Sequence, residues 1–144
     1  MIVDSSALIA MLLKEPDHEL LLQRLTEADR ICVGAPTLVE TAIVLCARLG
    51  PRGKTLLARF VHEAGLDVVE FTAEHWTAAA DAYISYGKGR HPAALNFGDC
   101  LAYAVSAVAG EPLLCKGDDF PRTDLALVSP EMPSLDESAR PDAE

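Results

Sequence analysis

Four places along this chain put a carboxylate where simple solvation explains little. Asp4 closes the apolar run Met1-Ile2-Val3. Glu40 is the only acid in Thr37-Leu38-Val39-Glu40-Thr41-Ala42-Ile43-Val44-Leu45. Asp99 sits in the first turn of Asn96-Phe97-Gly98-Asp99-Cys100-Leu101-Ala102-Tyr103-Ala104-Val105, and the pair Asp118-Asp119 follows Leu113-Leu114-Cys115-Lys116-Gly117. The i+3 and i+4 neighbours of Glu40 are Ile43 and Val44, which puts it on an apolar side of a helix and predicts burial. A buried, unpaired carboxylate must protonate or find a cation. Each acid alone has an ordinary account: Asp99 favours a helix N-terminus through the macrodipole, and Glu40 can pair with Arg48 or Lys54. Brought together, they make sense around a hard divalent cation, which prefers carboxylate oxygens and offsets their repulsion. The chemistry that follows is metal-assisted hydrolysis of a phosphodiester.

The elements that must position these acids alternate strand and helix. Strands are expected at 1–4, 31–34, 67–71 and 112–115, with a fifth at the edge over 125–128. Helices are expected at 5–14, capped by Ser5 or Ser6 and stopped by Pro16, and from a cap at Asp17 to 27, with Leu20, Leu21 and Leu25 as an apolar stripe. Another opens at Pro36 and ends at Gly50, the usual order of the two residues. Further helices are expected at 55–63, from a cap at Thr72 to 86, and at 96–109, with a polar loop at 87–92. Strands separated by helices imply parallel pairing, hence a sheet covered on both faces. Ligands then bind beyond the carboxyl ends of the strands, where Asp4 and Asp118-Asp119 fall.

Composition bounds the partners. The chain fits one compact domain at 1–129, followed by a Pro-, Ser- and acid-rich stretch at 130–144 that reads as a disordered tail. No apolar run is long enough to span a bilayer, and the acidic start does not resemble a secretory signal, so a cytoplasmic location is expected. The four cysteines are scattered, with no Cys-x-x-Cys pair, and read as small buried thiols rather than a zinc site. A net charge of −10 argues against a nucleic-acid partner. The tail, however, holds five acids against Arg140 alone, and bound metal inverts the local electrostatics. The loop Tyr86-Gly87-Lys88-Gly89-Arg90-His91 offers two cations to a phosphate backbone, in competition with an ordinary solvated loop. Lys116 can serve similarly or pair with a nearby acid. Trp76 and the leucine stripe read as core or dimer surface rather than base-stacking platforms.

The ordered set of these pieces resembles PIN-domain ribonucleases, and within them the VapC toxins of bacterial VapBC toxin–antitoxin systems. The matching pieces are Ile2-Val3-Asp4-Ser5-Ser6-Ala7-Leu8, Glu40 in the Pro-x-x-x-Glu-Thr-Ala helix, Asn96-Phe97-Gly98-Asp99-Cys100-Leu101-Ala102-Tyr103-Ala104, and Leu113-Leu114-Cys115-Lys116-Gly117-Asp118-Asp119-Phe120 with Thr123-Asp124. The resemblance implies a three-layer α/β/α fold with a central parallel sheet of four to five strands, and an acidic pocket for Mg2+ or Mn2+. Asp4, Glu40 and Asp99 match the family's most constant acids, and the fourth falls at either Asp118 or Asp119. Ser6 matches a small hydroxyl residue that orients carboxylate or phosphate, and Asn96 helps to order the turn before Asp99. The implied activity is that of an endoribonuclease acting on transfer or ribosomal RNA. The implied partners are a VapB-type antitoxin and a second copy in a homodimer. A PIN-like module that only binds RNA or protein is the alternative, although such a module would be expected to have lost acids. Receiver-like and dehalogenase-like phosphatase domains fit poorly: the third strand closes on Glu70-Phe71-Thr72 without an acceptor aspartate, and Asp4-Ser5-Ser6 is not Asp-x-Asp.

Overall fold

The computed structural model describes residues 1–128, and the acidic stretch at 130–144 lies outside the described residues. The elements run β1 (Ile2–Val3), α1 (Ser5–Leu12), α2 (His18–Glu27), β2 (Cys32–Gly34), α3 (Ala35–Leu49), α4 (Arg52–Glu63), β3 (Asp67–Val69), α5 (Ala73–Tyr86), α6 (Phe97–Ala109) and β4 (Leu113–Leu114). A 3-10 turn follows at Phe120–Arg122. The strands form one parallel sheet in the order β3-β2-β1-β4.

Two-residue periodicity explains how so short a sheet serves two cores. Ile2, Cys32 and Leu113 point into a cluster with Ala79, Ala82, Leu95, Cys100, Val105 and Phe120 from the α5–α6 side. Their successors Val3, Val33 and Leu114 point the other way, into Leu8, Met11, Leu21 and Leu25 from α1 and α2. The strands β1, β2 and β4 are therefore buried on both faces, as a parallel sheet favours, while the edge strand β3 stays largely exposed. The chain order β1, β2, β3 runs outward in one direction, and β4 then joins the opposite side of β1. The crossover direction thus reverses between β1 and β4, and that switch point is where such sheets bind ligands.

Local chemistry sets the boundaries. Pro36 lies in the first turn of α3, and Gly50 ends it with φ +67°. Helix α4 starts at Arg52, earlier than the expected 55, because the chain turns directly through Pro51. Thr72 caps α5 through a reciprocal box with His75. Three expectations need correction. The cap of α1 is Asp4 itself, not Ser5 or Ser6. Asp17 begins α2 with φ 71°, and its side chain makes no capping bond. The segment at 125–128 makes one bridge, Leu113 to Leu127, through two hydrogen bonds of Leu113 that flank Leu127, so among the described residues it does not form a fifth strand. Among the described residues no helix is long and apolar enough to cross a membrane. All four cysteines are free, Cys32 and Cys100 buried and the other two partly so.

Candidate active site

Asp4 stands at the carboxyl end of β1, where its N–H donates to Leu114 at 2.9 Å, and it is 2% exposed. Its Oδ2 accepts from the Ser6 amide at 3.0 Å and the Ser6 hydroxyl at 2.6 Å. Its Oδ1 is buried without a partner. Burial raises the Asp4 pKa above the usual carboxylate range, the Ser6 bonds pull it back, and the charge of Glu40 raises it again. One oxygen is held and the other is an orphan, in a group that burial alone would neutralise. Buried acceptors left unpaired are rare and need a reason.

Glu40 arrives from α3, but not for the reason its neighbours suggested. The helix is not deeply buried: only Thr37, Thr41 and Leu45 are, while Val39 and Ile43 are 60% and 65% exposed. Glu40 is half-buried at the border of the two faces. Arg48 lies 4.0 Å from Glu15 instead, and among the described residues no ion pair includes Glu40. Its carboxylate packs on Gly98 in the first turn of α6, so tightly that a Cβ on Gly98 would overlap it. That glycine is what lets an acid from one helix reach the N-terminus of another.

Asp99 sits in the first turn of α6, as its ordinary account expects. Its Oδ2 accepts from the Asn96 amide at 3.0 Å, and its own amide donates to the Asn96 side chain at 2.9 Å, a capping box. Its carboxyl is nevertheless pushed up to about 6. Burial is the main cause, the Asn96 bond opposes it, and the charges of Asp4, Asp119 and Glu40 add to it. The Cys115 thiol is likewise raised to about 12, by burial first and then by Asp4, Asp99 and Asp119. Four acids from four separate segments thus share one field, and the aspartate that joins from the β4 exit is Asp119. Asp118 and Asp119 are both exposed, and of the two it is the charge of Asp119 that raises Asp99 and Cys115.

Among the described residues no three His, Cys, Asp or Glu side chains form a closed ligand set. Carboxylates that only repel one another have no reason to close to ligand distance. The donor chemistry fits a hard divalent cation all the same. It is all carboxylate, it contains an orphaned buried oxygen, and it has no thiolate or imidazole to suit zinc.

Of the other expected residues, Lys88 and Asn96 line a separate cleft with Trp76, Tyr83 and Phe97. Lys88 and Arg90 are exposed on a turn tied down by hydrogen bonds from Lys88 to Leu95 and from Arg90 to Gly87. The Arg90 guanidinium lies 5.6 Å from the centre of the Tyr83 ring. Lys116 is engaged otherwise: its ammonium is 3.3 Å from Glu15 and 3.1 Å from the Pro16 carbonyl, while its amide donates to Ser6 Oγ at 2.9 Å. Trp76 is 63% exposed and belongs to the surface, not the core, whereas Leu21 and Leu25 are core. One contact, and the partner in a second, escaped sequence reasoning. Tyr103 donates to Asp124 at 2.6 Å, fastening the segment after Asp119 to α6, and Glu15 holds Lys116. Neither leaves a local signal, because each joins residues far apart in the chain.

Comparison with known proteins agrees with this architecture. A family model described as PIN domain matches residues 1–125. Ribonuclease VapC36 of Mycobacterium tuberculosis is 49% identical over 126 residues, covering 87% of this chain and 91% of its own. The crystal structure of Mycobacterium tuberculosis VapC20, titled a sarcin-ricin loop cleaving toxin, superposes with a TM-score of 0.73 at 19% identity, over 88% of this chain and 97% of that one. A toxin–antitoxin complex from Klebsiella pneumoniae gives a TM-score of 0.67 at 12% identity, over 90% and 97% of the two chains. The chain belongs to the PIN domain family and, within it, to the VapC ribonucleases.

Proposed function

We propose that this chain is a divalent-metal-dependent endoribonuclease, the toxin of a type II toxin–antitoxin pair, with structured RNA such as transfer or ribosomal RNA as substrate. The observation that carries the reading is the buried, unpartnered Oδ1 of Asp4 within the field of Glu40, Asp99 and Asp119. Those four acids are the residues that would hold Mg2+ or Mn2+. When bound, the ion supplies Lewis-acid chemistry, activating a water and screening charge that develops on the phosphate. Ser6 fixes one Asp4 oxygen and so commits the other, and Asn96 does the same for Asp99. Lys88 and Arg90 contact the RNA backbone, which an acidic surface would otherwise repel. Asp118 stands outside the ligand set.

The partners follow from surface chemistry and kinship. Val39 and Ile43 on α3, Trp76, Tyr83 and Ile84 on α5, and Phe97 at the start of α6 are large apolar side chains left exposed. Such a surface calls for a protein cover, and a second copy of the chain is the partner we assign to it. A VapB-type antitoxin is the further partner, in keeping with the toxin–antitoxin complex among the structural neighbours.

Mapping RNA ends after a brief pulse of expression, with Asp99→Asn as control, tests the activity and names the substrate together. New ends at discrete positions with the parent chain, and none with the variant, are expected. Identical ends from both would leave a module that binds without cleaving.

A further inference from the structure

We propose that Glu15 is a positioning residue: by holding Lys116 it keeps the β4 exit, with the Ser6–Asp4 clamp and Asp119, in the arrangement the acidic pocket needs. The inference rests on the metal-site reading above. A relay of contacts supports it. Glu15 Oε2 is 3.3 Å from Lys116 Nζ, and the Pro16 carbonyl is 3.1 Å from the same ammonium. The Lys116 amide donates to Ser6 Oγ at 2.9 Å, and Ser6 Oγ donates to Asp4 Oδ2 at 2.6 Å. A hydroxyl has one proton to give. With that proton on Asp4, Ser6 can only accept from Lys116, so the position of Lys116 decides whether the clamp on Asp4 is complete.

Downstream, the chain has one pivot before the fourth acid. Gly117 takes φ +107°, a conformation other residues rarely adopt, and Asp119 lies two residues beyond. A loop swinging on a glycine is aimed by its anchor, and Lys116 is that anchor. Glu15 itself is well seated. Its amide donates to Ala10 at 2.9 Å, and its carbonyl accepts from the His18 amide at 3.1 Å. Arg48, on the helix that carries Glu40, adds a longer contact at 4.0 Å. One carboxylate in the turn between α1 and α2 thereby touches β4's exit and α3, each of which brings an acid to the pocket.

An ion pair whose side chains are both about one-third exposed adds little to stability. Misplacing a ligand, by contrast, weakens metal binding or activity by about ten- to a hundredfold. The two roles therefore separate in experiment. Glu15→Ala and Glu15→Gln in the full chain are compared with the parent in three measurements: Mn2+ affinity without RNA, amide hydrogen exchange of residues 115–119 without metal, and single-turnover cleavage. Glu15→Ala should weaken Mn2+ binding by about tenfold, speed exchange at the Lys116 amide, and lower the cleavage rate at unchanged KM. Glu15→Gln, which still accepts a hydrogen bond from Lys116, should fall between Ala and the parent, and its readouts decide the matter if Glu15→Ala does not fold. Charge reversal by Glu15→Lys with Lys116→Glu should recover part of the lost affinity. Parent-like Mn2+ binding and exchange in both single variants would overturn the positioning role. Asp99→Asn serves as the reference: if it too leaves Mn2+ binding unchanged, the metal-site reading is what fails.

Discussion

The two edges of the sheet carry charge in opposite ways. At the amino edge, charges are matched: the Met1 ammonium lies 2.8 Å from Glu111, and Arg30 lies 3.1 Å from Asp67. At the carboxyl edge, Asp4, Glu40, Asp99 and Asp119 raise one another's or their neighbours' proton affinity, and among the described residues none of the four is in an ion pair. The same backbone supports both, since Met1 and Asp4 flank the two residues of β1. An edge that only had to be stable would resemble the first. The second stores repulsion that a divalent cation can relieve, and such departures from local consistency concentrate at functional sites.

The largest break in this contrast comes from neutralising the pocket. Asp4→Asn should lower RNA cleavage by at least about 10²-fold, since one oxygen of the set is replaced by an amide. The metal-free variant should nonetheless melt no lower than the parent, because a buried charge and its repulsion with Glu40 are removed together. Cleavage and calorimetry on one preparation read both. A loss of activity with a large fall in melting temperature would assign Asp4 to the scaffold instead. Gly98→Ala comes next. The added methyl must displace the Glu40 carboxylate, so activity and Mn2+-induced stabilisation should drop by about ten- to a hundredfold, with α6 otherwise intact by circular dichroism.

Much of this was legible in the chain, for identifiable reasons. Short apolar runs separated by helices forecast a parallel sheet covered on both faces, and Thr72 and Gly50 marked helix ends. The acids at Asp4, Glu40 and Asp99 stood out because their surroundings were apolar. The premise behind Glu40 fails in the structure: an apolar helix reads as a buried one, whereas Val39 and Ile43 face outward. Apolar patterning does not distinguish a core from a surface that awaits a partner. The cap of α1 was misplaced for a similar reason, since serine and aspartate are nearly equal as N-caps and only geometry chooses. The choice between Asp118 and Asp119 depends on a turn through Gly117, and the Glu15–Lys116 link joins positions 101 residues apart; spacing rules reach neither.

The two edges should also respond oppositely to pH. Asp99 titrates near 6 in the folded chain against 3.8 as the ordinary value, so between these limits the folded state holds more protons than the unfolded one. Stability of the metal-free protein therefore falls as pH rises through that window. Glu111 behaves in the reverse sense: the Met1 ammonium lowers its pKa below 4.5, and its contribution is lost as pH falls. Melting temperatures across pH 4 to 7 should show a decline that is smaller in Asp99→Asn and that saturating Mn2+ offsets near neutrality. An identical pH slope in Asp99→Asn would remove Asp99 from the account.

The smallest effect belongs to the paired edge, and it is the control that gives the others meaning. Arg30 and Asp67 are both mostly exposed, so water and salt already screen each charge, and holding two side chains in register costs entropy that offsets the attraction. Arg30→Ala should leave cleavage and Mn2+ binding unchanged and move the melting temperature barely beyond error, with any shift disappearing in high salt. Asp67 opens β3 at the far side of the sheet, two strands from β1 and away from the switch point between β1 and β4. If Arg30→Ala lowered activity as Asp4→Asn does, the carboxyl edge would lose its special standing, and charge distributed over the whole chain would have to explain the chemistry.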